Sequence, residues 1–211
     1  MNSKGPPATD ARPFRIALLR ATYYLFLATG IAGLTYVGYS LVDAHVYQAR
    51  EQNAFDSSQI KDVSKNEQPE LIGEGAVIGE MQVPRLGLKI IVVQGDSDRI
   101  LERAVGHIPE TALPGQFGNV AVAGHRDSFF RPLRNIQSGD AITFKTHSDK
   151  FHYEVESTAV VLPSDVSVLR ASSGRTLTLI TCFPFYYVGA APSRFVVRAR
   201  QVESTSPLDG Q

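Results

Sequence analysis

Two textures divide the 211-residue chain. From Ala21 to Val42, "ATYYLFLATGIAGLTYVGYSLV" holds no charged residue and no His, Asn or Gln. About 22 residues at roughly 1.5 Å rise reach about 33 Å, enough to cross a bilayer. Tyr23, Tyr24, Tyr36 and Tyr39 lie toward its two ends, where interfacial anchors belong. Lys4, Arg12, Arg15 and Arg20 precede the run, whereas the twenty residues after it hold only Arg50 and Lys61 among four acids. The pattern predicts one transmembrane helix over 21–42, residues 1–20 in the cytoplasm, and everything after Val42 outside the membrane. A cleaved signal peptide is the alternative, but its apolar region would be shorter, and the only cleavage candidate, near Val42 to Ala44, is weak.

The second texture begins near Ala76. Between the two, residues 43–75 are mixed in charge and rich in Gln, Ser and Asn, as in a stalk or linker. A short helix continuing the anchor through Tyr47 is the one periodic feature there. From 76 to 203 the chain breaks into short runs rich in Val, Ile, Thr and Phe, punctuated by Gly, Pro, Asp and Ser. "GAVIGEMQVP", "KIIVVQG", "GNVAVAGH", "DAITFKT", "FHYEVESTAVVL", "RTLTLITC" and "SRFVVRARQV" are predicted strands. "RILERAVGHIPE" opens as a helical turn, and "SFFRPLRNI" is a second short helix candidate. Strands at this spacing favour an all-β barrel or sandwich of about 125 residues over an α/β sheet, and alternation alone does not choose between the two. Residues 204–211 read as a flexible tail.

Composition narrows the chemistry. Twenty-one basic residues balance twenty-one acidic ones, which argues against nucleic acid as a partner. The single cysteine, Cys182, forms no internal disulfide and belongs to no zinc-ligand spacing, so no metal or other cofactor is expected. It is either an inert packed thiol or a reactive one.

Strand parity bears on that choice, because side chains alternate between faces with period two. In "RTLTLITC", Leu177, Leu179 and Thr181 share one face, while Thr176, Thr178, Ile180 and Cys182 share the other, more polar one. In "SRFVVRARQV", Phe195, Val197 and Ala199 form an apolar face and Arg194 points away from it. If the two runs pair as a hairpin, thiol and guanidinium share the outer surface of the sheet. A thiol needs a neighbouring imidazole or cation to react at neutral pH. Of the five histidines, His45 lies in the stalk, His147 in a turn and His152 in a strand, while His107 is either a base or a loop hydrogen-bonder. His125 follows the small apolar strand "GNVAVAG" and precedes a turn, the position at which a site is built.

"NVAVAGHRDSFFRPL", "LTLITCFPF" and "APSRFVVRAR" resemble the His, TLxTC and Arg motifs of the sortases, the membrane-anchored cysteine transpeptidases of bacteria. "MQVPRLGLKIIVVQGDS" and "AVGHIPETALPGQFGN" fit as well, so the resemblance spans nearly all of 76–202 and is greatest to class D. It implies a closed eight-stranded sortase barrel with short helices, with Cys182 as nucleophile, His125 as general acid/base and Arg194 as the substrate-binding or oxyanion-stabilising cation. It also implies proteins with an LPxTG-like sorting signal as substrates, and as acceptor an amine of a cell-wall precursor or protein. By the same resemblance "LPSDVSVLRASSG" walls the sorting-signal groove, with Pro163, Val166 and Leu169 against the Leu-Pro part of the peptide and Thr181 as a further substrate-binding residue. Asp165 reads as a turn cap. A mainly hydrolytic cysteine endopeptidase and a catalytically silent, membrane-tethered peptide-binding barrel are the competing functions.

Overall fold

The computed structural model describes residues 12–58, 73–187 and 189–203. The expected tail over 204–211, the first eleven residues and part of the expected stalk lie outside the described residues. The chain divides into two compact units, the second comprising Ala44–Gln211.

In the first unit, helix α1 (Arg12–Ser58, which continues into the second) runs unbroken through the predicted span. Its large apolar side chains stand exposed, Leu25, Phe26 and Leu34 among them. Among the described residues, however, no helix is long and apolar enough to cross a membrane.

In the second unit eight strands close on themselves. They are β1 (Val77–Val83), β2 (Leu88–Gln94), β3 (Val105–His107), β4 (Gly118–Ala123), β5 (Ala141–Lys145), β6 (Lys150–Val161), β7 (Arg175–Phe183) and β8 (Ser193–Val202). Their order round the closed barrel is β1-β2-β3-β4-β7-β8-β6-β5. Two neighbouring pairs are parallel, β2 with β3 and β4 with β7; every other pair is antiparallel. The parallel pairs need crossovers, supplied by the short helix α2 (Asp98–Leu101) and by the long excursion through β5 and β6.

Alternation fills the barrel: Met81 and Val83, Ile90 and Val92, Val120 and Val122, Leu177 and Leu179, Val197 and Ala199 all point inward and are buried. Each such aliphatic contributes about 1.5–3 kcal/mol on burial. The continuous run "LKIIVVQ" is covered on both faces, for Ile91 and Val93 form a second, smaller cluster with Ala104, against which Tyr47 of α1 and Ile100 of α2 pack. The helix continuing past the predicted span is therefore real and longer than the sequence pattern indicates, and residues 44–58 belong to the same compact unit as the barrel.

Gln48 holds that helix in place. Its Oε1 accepts the Ile91 N–H at 2.9 Å, and its Nε2 donates to the Arg103 carbonyl at 2.9 Å. One turn later, Gln52 donates to the Lys89 carbonyl at 3.5 Å. β3 pairs only with Val92–Gln94 of β2, so the two glutamines serve the stretch of β2 that has β1 on one side and no strand on the other.

Candidate active site

β7 and β8 form an antiparallel hairpin in which Cys182 lies directly opposite Arg194. Directly opposed residues on one face have Cβ atoms about 4.5–5.5 Å apart. Leu177 and Leu179 face the core and Thr181 is buried with them, so Cys182 emerges on the outer face, half-buried. On the other flank of β7 lies β4, whose Ala123 pairs with Ile180. The Gly124 N–H extends the ladder one step by donating to the Ile180 carbonyl at 3.1 Å. His125 follows at once, two residues past Ala123 as Cys182 is two past Ile180. By this register the Cys182 and Arg194 backbones stand opposite one another on β7 and β8, and the His125 backbone lies at about their level, two residues past the end of β4.

Three local features hold His125 there. A Cβ on Gly124 would meet Phe130 Cδ2 at 2.8 Å and Val105 Cγ1 at 3.0 Å, so only glycine lets the buried Phe130 ring seat beneath the turn. The Thr181 hydroxyl donates to the Gly124 carbonyl at 2.7 Å. The His125 carbonyl in turn accepts the Phe130 N–H at 3.0 Å. Thr181 points inward, as its parity with Leu177 and Leu179 predicts, and its hydroxyl fixes the backbone next to the histidine.

Arg194 donates from one terminal nitrogen to the Ser193 and Ala191 carbonyls, at 3.1 and 3.4 Å. A guanidinium has five donors, so this leaves capacity for a ligand. Arg126 donates to the Tyr187 and Gly189 carbonyls at 2.7 and 3.1 Å, and its guanidinium lies over the Tyr187 ring. Arg134 stacks similarly over Tyr186. The connection between β7 and β8 is thus tied down from the histidine side. Arg126 thus acts on this loop.

Between β6 and β7 a 3-10 turn, Val166–Leu169, crosses the outer face. Asp165 caps it, accepting the Ser167 N–H at 3.1 Å, and the Ser167 bonds hold the Asp165 carboxyl below its usual range. Pro163 and Val166 are exposed and Leu169 is half-buried. The Val168 carbonyl accepts from Asn119 Nδ2 on β4 at 2.9 Å and from Arg198 on β8 at 3.4 Å. Arg198 is therefore engaged rather than freely solvated, whereas Arg200 is exposed and ion-paired with Glu154 and Glu156. Ala121 and Val196, also on the outer face, are buried beside Ile180.

His107 is not part of this group. It lies in β3, fully buried, with Nδ1 against Gln94 Oε1 at 2.8 Å and Nε2 against the Ala112 carbonyl at 2.9 Å. Burial pushes its pKa down, and the Ala112 bond partly opposes that. It is the hydrogen-bonder of the two roles open to it. A cavity of about 380 Å³ beside Tyr47, Val93 and Arg103 lies on the β2 side of the barrel, three strands round from β7.

The model of the Sortase domain matches residues 81–202, well over half of the chain. The chain belongs to the sortase family. It is 28% identical over 188 residues to Sortase D of Bacillus subtilis (strain 168), across 83% of this chain and 95% of that protein. Sortase SrtE1 of Streptomyces coelicolor is 30% identical over 212 residues, across 91% of this chain and 59% of the relative. Among solved structures, the Clostridium perfringens Sortase D5 transpeptidase matches with a TM-score of 0.59 at 25% identity, over 77% of this chain and 99% of that one. A Clostridium perfringens sortase C, solved with the C-terminal cell wall sorting motif, matches with the same TM-score and identity over 72% and 85%. The closed barrel is the sortase fold, and the protein is a cysteine transpeptidase. Asn119, Gly124 and Phe130 are the supporting residues of this sortase that residue chemistry alone did not single out, since each acts through a contact distant in sequence.

Proposed function

We propose that this sortase cleaves an LPxTG-like sorting signal through a thioacyl intermediate on Cys182 and transfers the acyl group to an amine. The observation that carries this reading is the direct pairing of Cys182 with Arg194, with His125 two residues past the end of the neighbouring strand β4. The Cys182 thiolate attacks the carbonyl carbon of the Thr-Gly-like bond, and Arg194 donates to the developing oxyanion or to the substrate backbone. Arg194 remains protonated throughout and so is not the base. His125 gives its proton to the departing amine as the C–N bond breaks, leaving a thioester on Cys182. An incoming amine loses a proton to His125 as it attacks, and the thiolate leaves.

The groove fits the length of such a signal. From the level of Cys182 to that of Thr178, which bonds Asn119, is four residues of strand, about 13 Å. An extended four-residue segment spans the same length, which would set the residues before the scissile bond along Ile180 and against the Val166–Leu169 turn. Pro163, Val166 and Leu169 are proposed to receive its Leu-Pro part, with Thr181 acting behind the histidine.

Residues 21–42 are proposed as the anchor, residues 1–20 as cytoplasmic, 43–75 as the connection, and 76–203 as the catalytic domain outside the cell membrane. The threonine hydroxyls that lower the hydropathy of the run donate within the helix, Thr29 to the Leu25 carbonyl and Thr35 to the Ile31 carbonyl, both at 2.9 Å, which hides their polarity from lipid. The partners are then envelope proteins carrying the sorting signal and a cell-wall or protein amine.

The deciding experiment incubates the protein with a quenched LPxTG-like peptide, with and without a primary amine, and reads intact mass. An acyl adduct that disappears in Cys182→Ala and turns over to the amide is expected. Turnover to the free acid alone, indifferent to amine, would make the enzyme a hydrolase. Peptide binding without any adduct would make it a silent barrel.

A further inference from the structure

Asn119 is almost fully buried on the outer face of β4, although it lies on the surface of the barrel rather than inside it. Its amide is engaged at both oxygen and nitrogen. Oδ1 accepts the Thr178 hydroxyl at 2.6 Å and the Thr176 hydroxyl at 3.2 Å, while Nδ2 donates to the Val168 carbonyl. These contacts assign the amide orientation, because only the oxygen can take two hydroxyl protons and only the nitrogen can serve a carbonyl. Ser172 lies 3.0 Å from Thr176 and shares its one hydroxyl proton between the Gly174 carbonyl at 2.6 Å and the Gly118 carbonyl at 3.1 Å. Ser172 and Val168 both belong to the loop between β6 and β7. The loop is therefore held at two points, by Asn119 at Val168 and by the β4 backbone at Ser172.

We propose that Asn119 is a positioning residue that sets the β6–β7 loop in its peptide-receiving conformation before substrate arrives. The inference rests on the reading of that loop as the wall of the sorting-signal groove. A four-residue 3-10 turn has few internal bonds of its own, and its position over β7 depends on the Val168 carbonyl being held from β4 and β8. A peptide entering a preset groove does not meet the cost of ordering its wall. If loss of the tether leaves the competent loop populated at about 1–10%, apparent affinity falls about 10- to 100-fold. The chemistry on Cys182 is unaffected once the peptide is bound, so the change falls on KM and not on kcat.

The test compares full-length wild type, Asn119→Ala and Asn119→Asp with the quenched LPxTG-like peptide, and measures hydrogen exchange over 162–174 without peptide. Asn119→Asp is isosteric and still accepts from both threonines, but it cannot donate to Val168. Both variants are expected to raise KM by about 10- to 100-fold with kcat within about threefold, and to speed exchange in the loop while the strand amides of β4 and β7 stay protected. Unchanged KM and loop exchange, or a loss of kcat and melting temperature without faster loop exchange, would overturn the proposal. If Asn119→Ala does not fold, Asn119→Asp decides, and a wild-type-like Asp variant refutes the tether. A wild type that is never acylated by the peptide would sink the groove reading instead, and the exchange data would then judge the tether by itself.

Discussion

Replacing Gln48 by Leu keeps the bulk of the side chain and deletes its two hydrogen bonds to the barrel. The Ile91 N–H loses its acceptor in a fully buried place, and a stranded buried donor costs about 1–3 kcal/mol. Arg103 is only half-buried, so its carbonyl can turn to water, and losing that bond costs about 0.5–1.5 kcal/mol. The sum is about 1.5–4.5 kcal/mol. At roughly 2–4 °C per kcal/mol for a unit of this size, the unfolding midpoint falls by roughly 3–18 °C. Gln52→Leu is the control, since its single 3.5 Å bond is exposed and its loss is worth less than about 0.5 kcal/mol. Thermal unfolding of the full chain in detergent, with hydrogen exchange at the Ile91 amide, reads both. A Gln48→Leu protein that melts within a degree or two of wild type and keeps Ile91 protected would refute the account of how this helix is held.

Four further outcomes are expected. Gly124→Ala drives a methyl into Phe130 and shifts the histidine turn, costing about 1–3 kcal/mol of stability; peptide acylation in a single-turnover assay should slow at least in step, and a wild-type rate would contradict it. Arg194→Lys keeps the charge but not the fork, and kcat should fall by about 10²–10³, the usual effect of losing an oxyanion donor. Arg126→Lys should raise hydrogen exchange at Tyr187 and Gly189 by releasing their carbonyls, with unchanged exchange as the contrary result. His107 is buried with its pKa lowered, so the unfolded chain takes up the proton first. Its contribution is whole above about pH 6.5 and is lost on acidification toward the folded pKa, with a slope of at most about 1.4 kcal/mol per pH unit. That slope should flatten in His107→Gln when stability is followed by denaturant titration between pH 7 and 5.

Parity was the most informative local signal. It separates Cys182 from Leu177 and Leu179 and aligns it with Arg194, and the register of β7 with β8 agrees residue by residue. Seven of the eight strands coincide with runs of alternating or continuous apolar residues. β3 escaped because three residues, Val105–His107, are too few to alternate, and they follow a helical turn that does form as α2. Closure is not local either: β1 meets β5 through Glu80–Gln82, and no property of "GEMQVP" or "DAITFKT" names the other as partner. The same holds for Asn119 and Gln48. Each is an ordinary polar residue in its own segment, and its meaning comes from carbonyls and amides about 50 positions away.

The pairing of β4 with β7 has a consequence for when the enzyme comes into being. The histidine strand and the cysteine strand are neighbours in space but 57 residues apart in the chain, and the arginine strand is the last of the eight. Sheets assembled from such distant segments form slowly, after many shorter contacts are already made. A ribosome that has released β1 through β6 has delivered the strand leading to His125 but neither Cys182 nor Arg194. On the proposed assignment, reactivity arises only as the final two strands zip into the gap between β4 and β6, so the acquisition of activity during refolding should coincide with barrel closure rather than with collapse of the core.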